Sequence, residues 1–252
     1  MTQRFLIRIE YDGTPFVGWQ RQTNGISVQQ VLEDAAQTLS GQPTLVQGAG
    51  RTDAGVHATG QVAHIDLPDK FDANRVTEAL NALVGEWPIT VIKAVAVDAQ
   101  THARFSAIGR RYLYRILARR TPPALLKDRV WHHKHPLDAE AMQLAADRLI
   151  GRHDFTSFRA SQCQADSPVR TLDELQVVAQ GEEIHLHVAA RSFLHHQVRN
   201  ITGTLALVGT GKWSADDVSA ALEACDRSAA GPTAPACGLY LEDVVYEDVL
   251  WD

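Results

Sequence analysis

Residues able to do chemistry crowd into one glycine-rich loop, Gly48-Ala49-Gly50-Arg51-Thr52-Asp53-Ala54-Gly55-Val56-His57. Two familiar uses of such a loop fail on its letters. It lacks the Gly-Lys-Ser/Thr ending of a P-loop. Asp53 stands where a dinucleotide fingerprint needs its third glycine, and a strand rather than a helix is predicted next. Nucleoside-triphosphate hydrolysis and hydride transfer drop out. What remains is a carboxylate on a tight turn with Arg51 just before it. An arginine partner favours the ionised form of an aspartate, the state that a nucleophile or base requires. Asp-Ala-Gly is also plain turn chemistry, so the loop alone leaves both readings open.

The other reactive side chains say less. His185 and His187 share one face of a predicted strand, while His132, His133 and His135 form a second group and His195 with His196 a third. None has cysteine or acidic residues at a spacing that completes a metal site, so no metal is expected. His153-Asp154 follows Gly151 and reads as the end of a helix. Cys163, Cys225 and Cys237 form no CxxC pair, and a scattered, odd set of thiols suits a reducing cytoplasm. No apolar run approaches the ~20 residues that span a bilayer, and no secretory h-region opens the chain, so a soluble protein with no membrane partner is expected.

Charge points to a partner once its distribution is considered. The net charge of −6 argues against nucleic acid at first sight. Residues 216–252, however, hold nine acids and one base, and two stretches, 99–127 and 184–215, hold no acid at all. The first of these carries six arginines and a lysine. Arginine outnumbers lysine 19 to 5, and its planar fork suits phosphate oxygens and base edges better than a point charge does. A solvated basic face remains the plain alternative.

Positioning the loop falls to elements whose order can be read. Phe5, Ile7 and Ile9 alternate with Leu6, Arg8 and Glu10 as a strand, and Ser27-Val28-Gln29-Gln30 starts a helix with Val28, Val31, Leu32, Ala35 and Leu39 on one face up to Gly41. Strands follow at 44–47 and 61–66. A helix capped by Asp72 spans 73–84, with Val76, Leu80 and Leu83 facing inward, and a strand over 90–97 closes a β-α-β-β-α-β unit. The second half repeats that order in outline. It runs through a strand at 111–117, a helix at 139–150, a hairpin of 172–179 with 183–190 over Gly181, helices near 196–208 and after Ser214, and a last strand at 239–247. The expectation is an α+β fold of two ferredoxin-like (split βαβ) halves, 1–104 and 105–252. They would share a largely antiparallel sheet with the active-site cleft between them.

Six motifs in order carry a resemblance over some 230 residues. They are Tyr11-Asp12-Gly13-Thr14 with Phe16 and Gly18-Trp19-Gln20; Gly48 to His57; Arg110-Arg111-Tyr112-Leu113-Tyr114; His153 to Arg159; Phe193 to Asn200; and Ala234 to Leu241. Together they resemble the TruA family of tRNA pseudouridine synthases. The pattern departs at Gln197, where family members more often carry methionine. The resemblance implies that Asp53 is catalytic, that Tyr112 lines the uridine pocket, and that Arg51 and Arg199 are basic neighbours of the carboxylate. It further implies a homodimer that needs no cofactor and acts on uridines 38, 39 and 40 of the tRNA anticodon stem-loop. Tyr112 sits in the acid-free stretch beside Arg110 and Arg111, as an aromatic holding an unstacked RNA base would, though a core-facing strand aromatic fits equally. Arg110, Arg111 and Arg159 are candidate RNA contacts. Asp53 could attack C1′, abstract the 2′ proton or add to C6. A non-catalytic RNA-binding module and a histidine-dependent metal hydrolase are the rival readings.

Overall fold

Phe5, Leu6, Ile7 and Ile9 are buried together on β1 (Thr2–Tyr11), an inner strand of its sheet. In this computed structural model, residues 1–247, 249 and 251 are described, so Asp248 and Asp252 of the acidic end lie outside them. The chain forms two units, Met1–Ile108 with Tyr240–Asp252 and Gly109–Leu239.

In the first unit β1 pairs antiparallel with β3 (His57–Pro68) on one side and β4 (Ile89–Val97) on the other, with Ile7 opposite Ala63 and Ala94. The far edge of β3 is shared. β2 (Val46–Gly48) pairs antiparallel with Ala63–Ile65, and β10 (Leu239–Val245) pairs in parallel at His57 and Ala58. Helix α1 (Val28–Ser40) begins where Ser27 Oγ accepts the Gln30 N–H at 3.1 Å, and it ends at Gly41. It buries Val28, Val31, Leu32, Ala35 and Ala36; Leu39 is half-buried. Helix α2 (Ala73–Val84) is capped by Asp72, which accepts from Arg75 N–H at 2.8 Å. Its inward face is Val76, Leu80 and Val84, and the expected Leu83 lies outside it, because a spacing of four from Leu80 selects Val84.

The second unit carries a sheet in the order β5-β9-β8-β7, all antiparallel, from β5 (Gly109–Ala118), β9 (Glu183–Ala190), β8 (Val169–Gln180) and β7 (Gly151–Asp154). β6 (Trp131–His133) adds a short parallel pairing to β5. The hairpin over Gly181 falls where the alternation placed it, with Gln180 opposite Glu183. Two expectations need correction. The helix expected over 139–150 is α3 (Ala139–Ala146), which tightens into a 3₁₀ turn at Asp147–Leu149 and stops, because Ile150 is already extended and Gly151 opens β7. His153 and Asp154 therefore stand on a strand and not at a helix end. The element order of the second unit also departs from the first, since β6 and β7 have no counterparts there. Helices α4 (Gln197–Gly209) and α5 (Ala215–Glu223) follow, α5 with the reciprocal Ser214–Asp217 capping box.

Candidate active site

The loop before β3 is held by the first motif of the chain. Asp53 forms an isolated antiparallel bridge with Gly18, and the flanking Trp19 N–H donates to the Thr52 carbonyl at 3.0 Å. Tyr11 Oη and Thr52 Oγ1 share a buried hydrogen bond of 2.8 Å. The turn closes where Val56 N–H donates to the Asp53 carbonyl at 3.1 Å. Ala49 N–H reaches back to the Val62 carbonyl at 2.7 Å, and Gln61 Nε2 donates to the Gly50 carbonyl at 2.9 Å. Backbone bonds thus fix the Asp53 main chain from both sides.

Gly18 makes this approach possible. Its φ is +112°, and a β-carbon there would lie 2.6 Å from the Thr52 carbonyl oxygen. His57 locks the far end of the loop. Its Nδ1 accepts the Gly13 N–H at 3.0 Å and its ring stacks on Tyr240 at 4.7 Å. Asp12 Oδ1 lies 3.2 Å from the same nitrogen.

Asp53 is half-buried and Arg51 is exposed. The sequence suggested that these two pair; among the described residues Arg51 makes no ion pair, because its side chain faces solvent.

In the second unit, Tyr112 and Tyr114 share one face of β5 with different fates. Tyr114 is fully buried, donates its hydroxyl to the Pro235 carbonyl at 2.7 Å, and has its pKa driven well up by that burial. Tyr112 is half-buried and meets Phe193 edge-on at 5.1 Å. The core-facing reading belongs to Tyr114. Arg110 is only 8 % exposed and donates to the Arg191 carbonyl at 2.8 Å, whereas Arg111 is exposed. Arg159 is half-buried just after the 3₁₀ turn Thr156–Phe158.

Arg199, on the first turn of α4, is held by a strap that sequence reasoning missed. Its Nε donates to the Ala234 carbonyl at 2.8 Å, and Ala234 N–H returns to the Arg199 carbonyl at 3.0 Å. Next to it, buried Asn200 Oδ1 accepts from Thr233 Oγ1 at 2.6 Å and from Arg227 Nη2 at 3.1 Å, while Arg227 Nη1 donates to the Gly231 carbonyl at 2.9 Å. The strap lies so close to α4 that a β-carbon at Gly203 would meet the Pro232 carbonyl oxygen at 1.8 Å. The Ala234–Leu241 motif pointed to this region, but nothing local in Arg227 marks it as a partner of Asn200.

Two of the three histidine groups make structural contacts. His185 Nε2 contacts Glu183 Oε2 at 2.9 Å, His132 Nε2 the Arg119 carbonyl at 2.8 Å, and His133 Nδ1 the His135 carbonyl at 2.7 Å.

The family profile described as tRNA pseudouridine synthase matches residues 7–106 and 145–247. Among curated proteins, the chain is 58 % identical over 243 residues to "tRNA pseudouridine synthase A" of Paramagnetospirillum magneticum, covering 96 % of this chain and 95 % of that one. It is 60 % identical over 237 residues to the protein of the same name from Rhodospirillum rubrum, covering 94 % and 85 %. The Rhodospirillum centenum protein of that name is 58 % identical over 244 residues, covering 97 % and 100 %. A mixed α+β chain with an aspartate on a backbone-clamped turn is thus placed among the RNA-modifying isomerases. The chain belongs to the tRNA pseudouridine synthase family, and its reaction is the isomerisation of uridine to pseudouridine in tRNA.

Proposed function

We propose that this chain modifies uridines 38, 39 and 40 of the tRNA anticodon stem-loop, with Asp53 as the catalytic carboxylate, and that it works as a cytoplasmic homodimer. The observation that supports this most is the clamping of Asp53 between the Gly18 bridge and the Val56 turn. The reaction breaks the bond from N1 to C1′ and makes one from C5 to C1′; C5 loses a proton and N1 gains one. Atoms and electrons balance within the nucleotide, so the isomerisation calls for no oxidant or reductant. Asp53 attacks C1′, takes the 2′ proton or adds to C6, and each route needs an ionised, immobile carboxylate. Tyr112 stacks on the extruded uridine, offsetting part of the few kcal/mol of unstacking; its edge-on contact with Phe193 fixes the ring for that task. Arg51 and Arg199 supply positive charge to the uridine nucleotide, and of the candidates Arg110, Arg111 and Arg159 the last two contact the tRNA backbone. Exposure favours Arg111 for phosphate, and burial favours Arg110 for holding the Arg191 segment. The β-α-β-β-α-β order of the first unit supports reading it as a ferredoxin-like half. β5, β9 and β8 with α3 and α4 support a second such half carrying β7 as an added edge.

Tritium release from C5-labelled uridine in tRNA tests the assignment. Asp53→Asn keeps size and turn-forming ability but removes the charge, so it is expected to bind tRNA within a few fold of the parent and to release no tritium. Turnover at a tenth of the parent rate, a barrier change of only about 1.4 kcal/mol, would show that Asp53 is not the catalytic group.

A further inference from the structure

Phe105 is a side chain of the first unit that neither the fold nor the reaction uses. Its ring is 73 % exposed, in a chain that buries Phe5, Phe16, Phe155 and Phe158. The Arg104 guanidinium carbon lies 5.6 Å from the Phe105 ring centroid, and the His102 imidazole tilts against the same ring at 4.4 Å. The turn that carries them is firmly built. Ala103 N–H donates to Nδ1 of buried His64 at 3.2 Å, and Tyr246 Oη donates to the Ala103 carbonyl. Ser106 N–H donates to the His102 carbonyl at 2.9 Å, and Arg4 Nη1 donates to the carbonyls of Ala99 at 2.6 Å and Thr101 at 3.2 Å.

An exposed aromatic face beside a guanidinium matches the way unpaired RNA bases are held, the ring by stacking and the cation through the neighbouring phosphate. The sequence around it, 99–127, is free of acids, and Asp66 on the strand below is already paired with Arg4 at 2.8 Å. A second copy of this chain suits the surface less well. A two-fold contact would set the same basic turn against itself, and one phenylalanine supplies a small part of the ~800 Å² per partner that a stable interface buries. The position also separates this surface from the reacting uridine. β3 carries His57 at the Asp53 loop and His64 under the Phe105 turn, roughly 23 Å along the strand at about 3.3 Å per residue.

We propose that Phe105 and Arg104 hold an unpaired base of bound tRNA other than the uridine being isomerised. The proposal rests on tRNA as substrate and not on the role given to Asp53. Binding of an unmodified tRNA by fluorescence anisotropy at several salt concentrations, with single-turnover tritium release at saturation, tests it. Phe105→Ala is expected to weaken binding about ten-fold with an unchanged salt slope and an unchanged saturating rate, since it removes a stack and no charge. Phe105→Trp should restore affinity, and Arg104→Ala should weaken binding and reduce the salt slope by about 1. Binding by Phe105→Ala within two-fold of the parent overturns the proposal. So does an equal loss on a blunt RNA duplex without unpaired bases, and so does a fall in particle mass by light scattering, which would assign the surface to a contact between copies. Loss of the Asp53 reading would register only in Asp53→Asn turnover, leaving these binding results intact.

Discussion

At Gly18 the geometry of the Asp53 loop depends on a missing methyl group. Alanine there would meet the Thr52 carbonyl at 2.6 Å in a backbone conformation that L-residues rarely adopt, so the bridge to Asp53 must open. Gly18→Ala is expected to lower the single-turnover rate at least ten-fold while tRNA affinity stays within a few fold, measured by tritium release and anisotropy; a parent-like rate would show that the bridge does not position the carboxylate. Thr52→Val is a milder change. It keeps the shape and removes the bond to Tyr11, which costs about 1 kcal/mol in a urea melt. Arg51 differs from both, because its exposed side chain is expected to be replaceable by alanine with no change in melting temperature.

Among the elements, the strap over α4 carries the largest predicted effect. Arg227 donates to a side-chain amide, a hydroxyl and main-chain carbonyls in one fork, a pattern that a lysine ammonium cannot reproduce. Arg227→Ala leaves the buried Asn200 carbonyl short of a donor, and about 1–3 kcal/mol of stability should go with it. Because Ala234 also grips Arg199, turnover should fall further than tRNA affinity, and Arg227→Lys should rescue neither; full rescue by lysine would reduce the network to a matter of charge. Strands and helices with ten or so patterned residues were legible in the sequence because burial imposes the period: β1, α1, α2, β5, β8 and β9 lie within a few residues of their expected places. The short pieces were not. β6 and β7 have three and four residues, too few for alternation to show, and α3 ends early because Gly151 is taken into a sheet contact with Leu172 that only the folded chain supplies. In the site, the loop around Asp53 was legible from its glycines. Its clamp was not, since the bond from Tyr11 to Thr52 joins residues far apart in sequence, and the same holds for the bond from Asn200 to Arg227 in the strap over α4.

For the whole molecule, acid should act through His64. Burial first, and then the positive charge of Arg4 and the neighbouring His102, hold this imidazole down to about 4 against an opposing pull from Asp66. The folded ring is therefore neutral between about 4 and 6.5, where the unfolded chain takes up a proton. Stability falls as pH drops through that window, by up to about 2–3 kcal/mol once pH nears 4, and is unaffected by this group above 6.5. Urea melts from pH 7 to 4 should show this slope, and His64→Gln should flatten it. Salt should act through the basic face instead: tRNA affinity falls steeply with salt, and Arg111→Gln lowers the slope by about 1. The route of the chain adds a constraint in time. The edge of β3 beside the Asp53 loop pairs with β10, so His57 meets Tyr240 only after the 182 residues between them have been synthesised. A growing chain can fold β1, β2, β3 and β4 early, yet the strand that leads out of the Asp53 turn keeps one open edge until the ribosome reaches Tyr240. An interrupted message thus yields a first unit with its helices in place and its reactive turn unsupported, and such fragments should not compete with the finished enzyme for uridines.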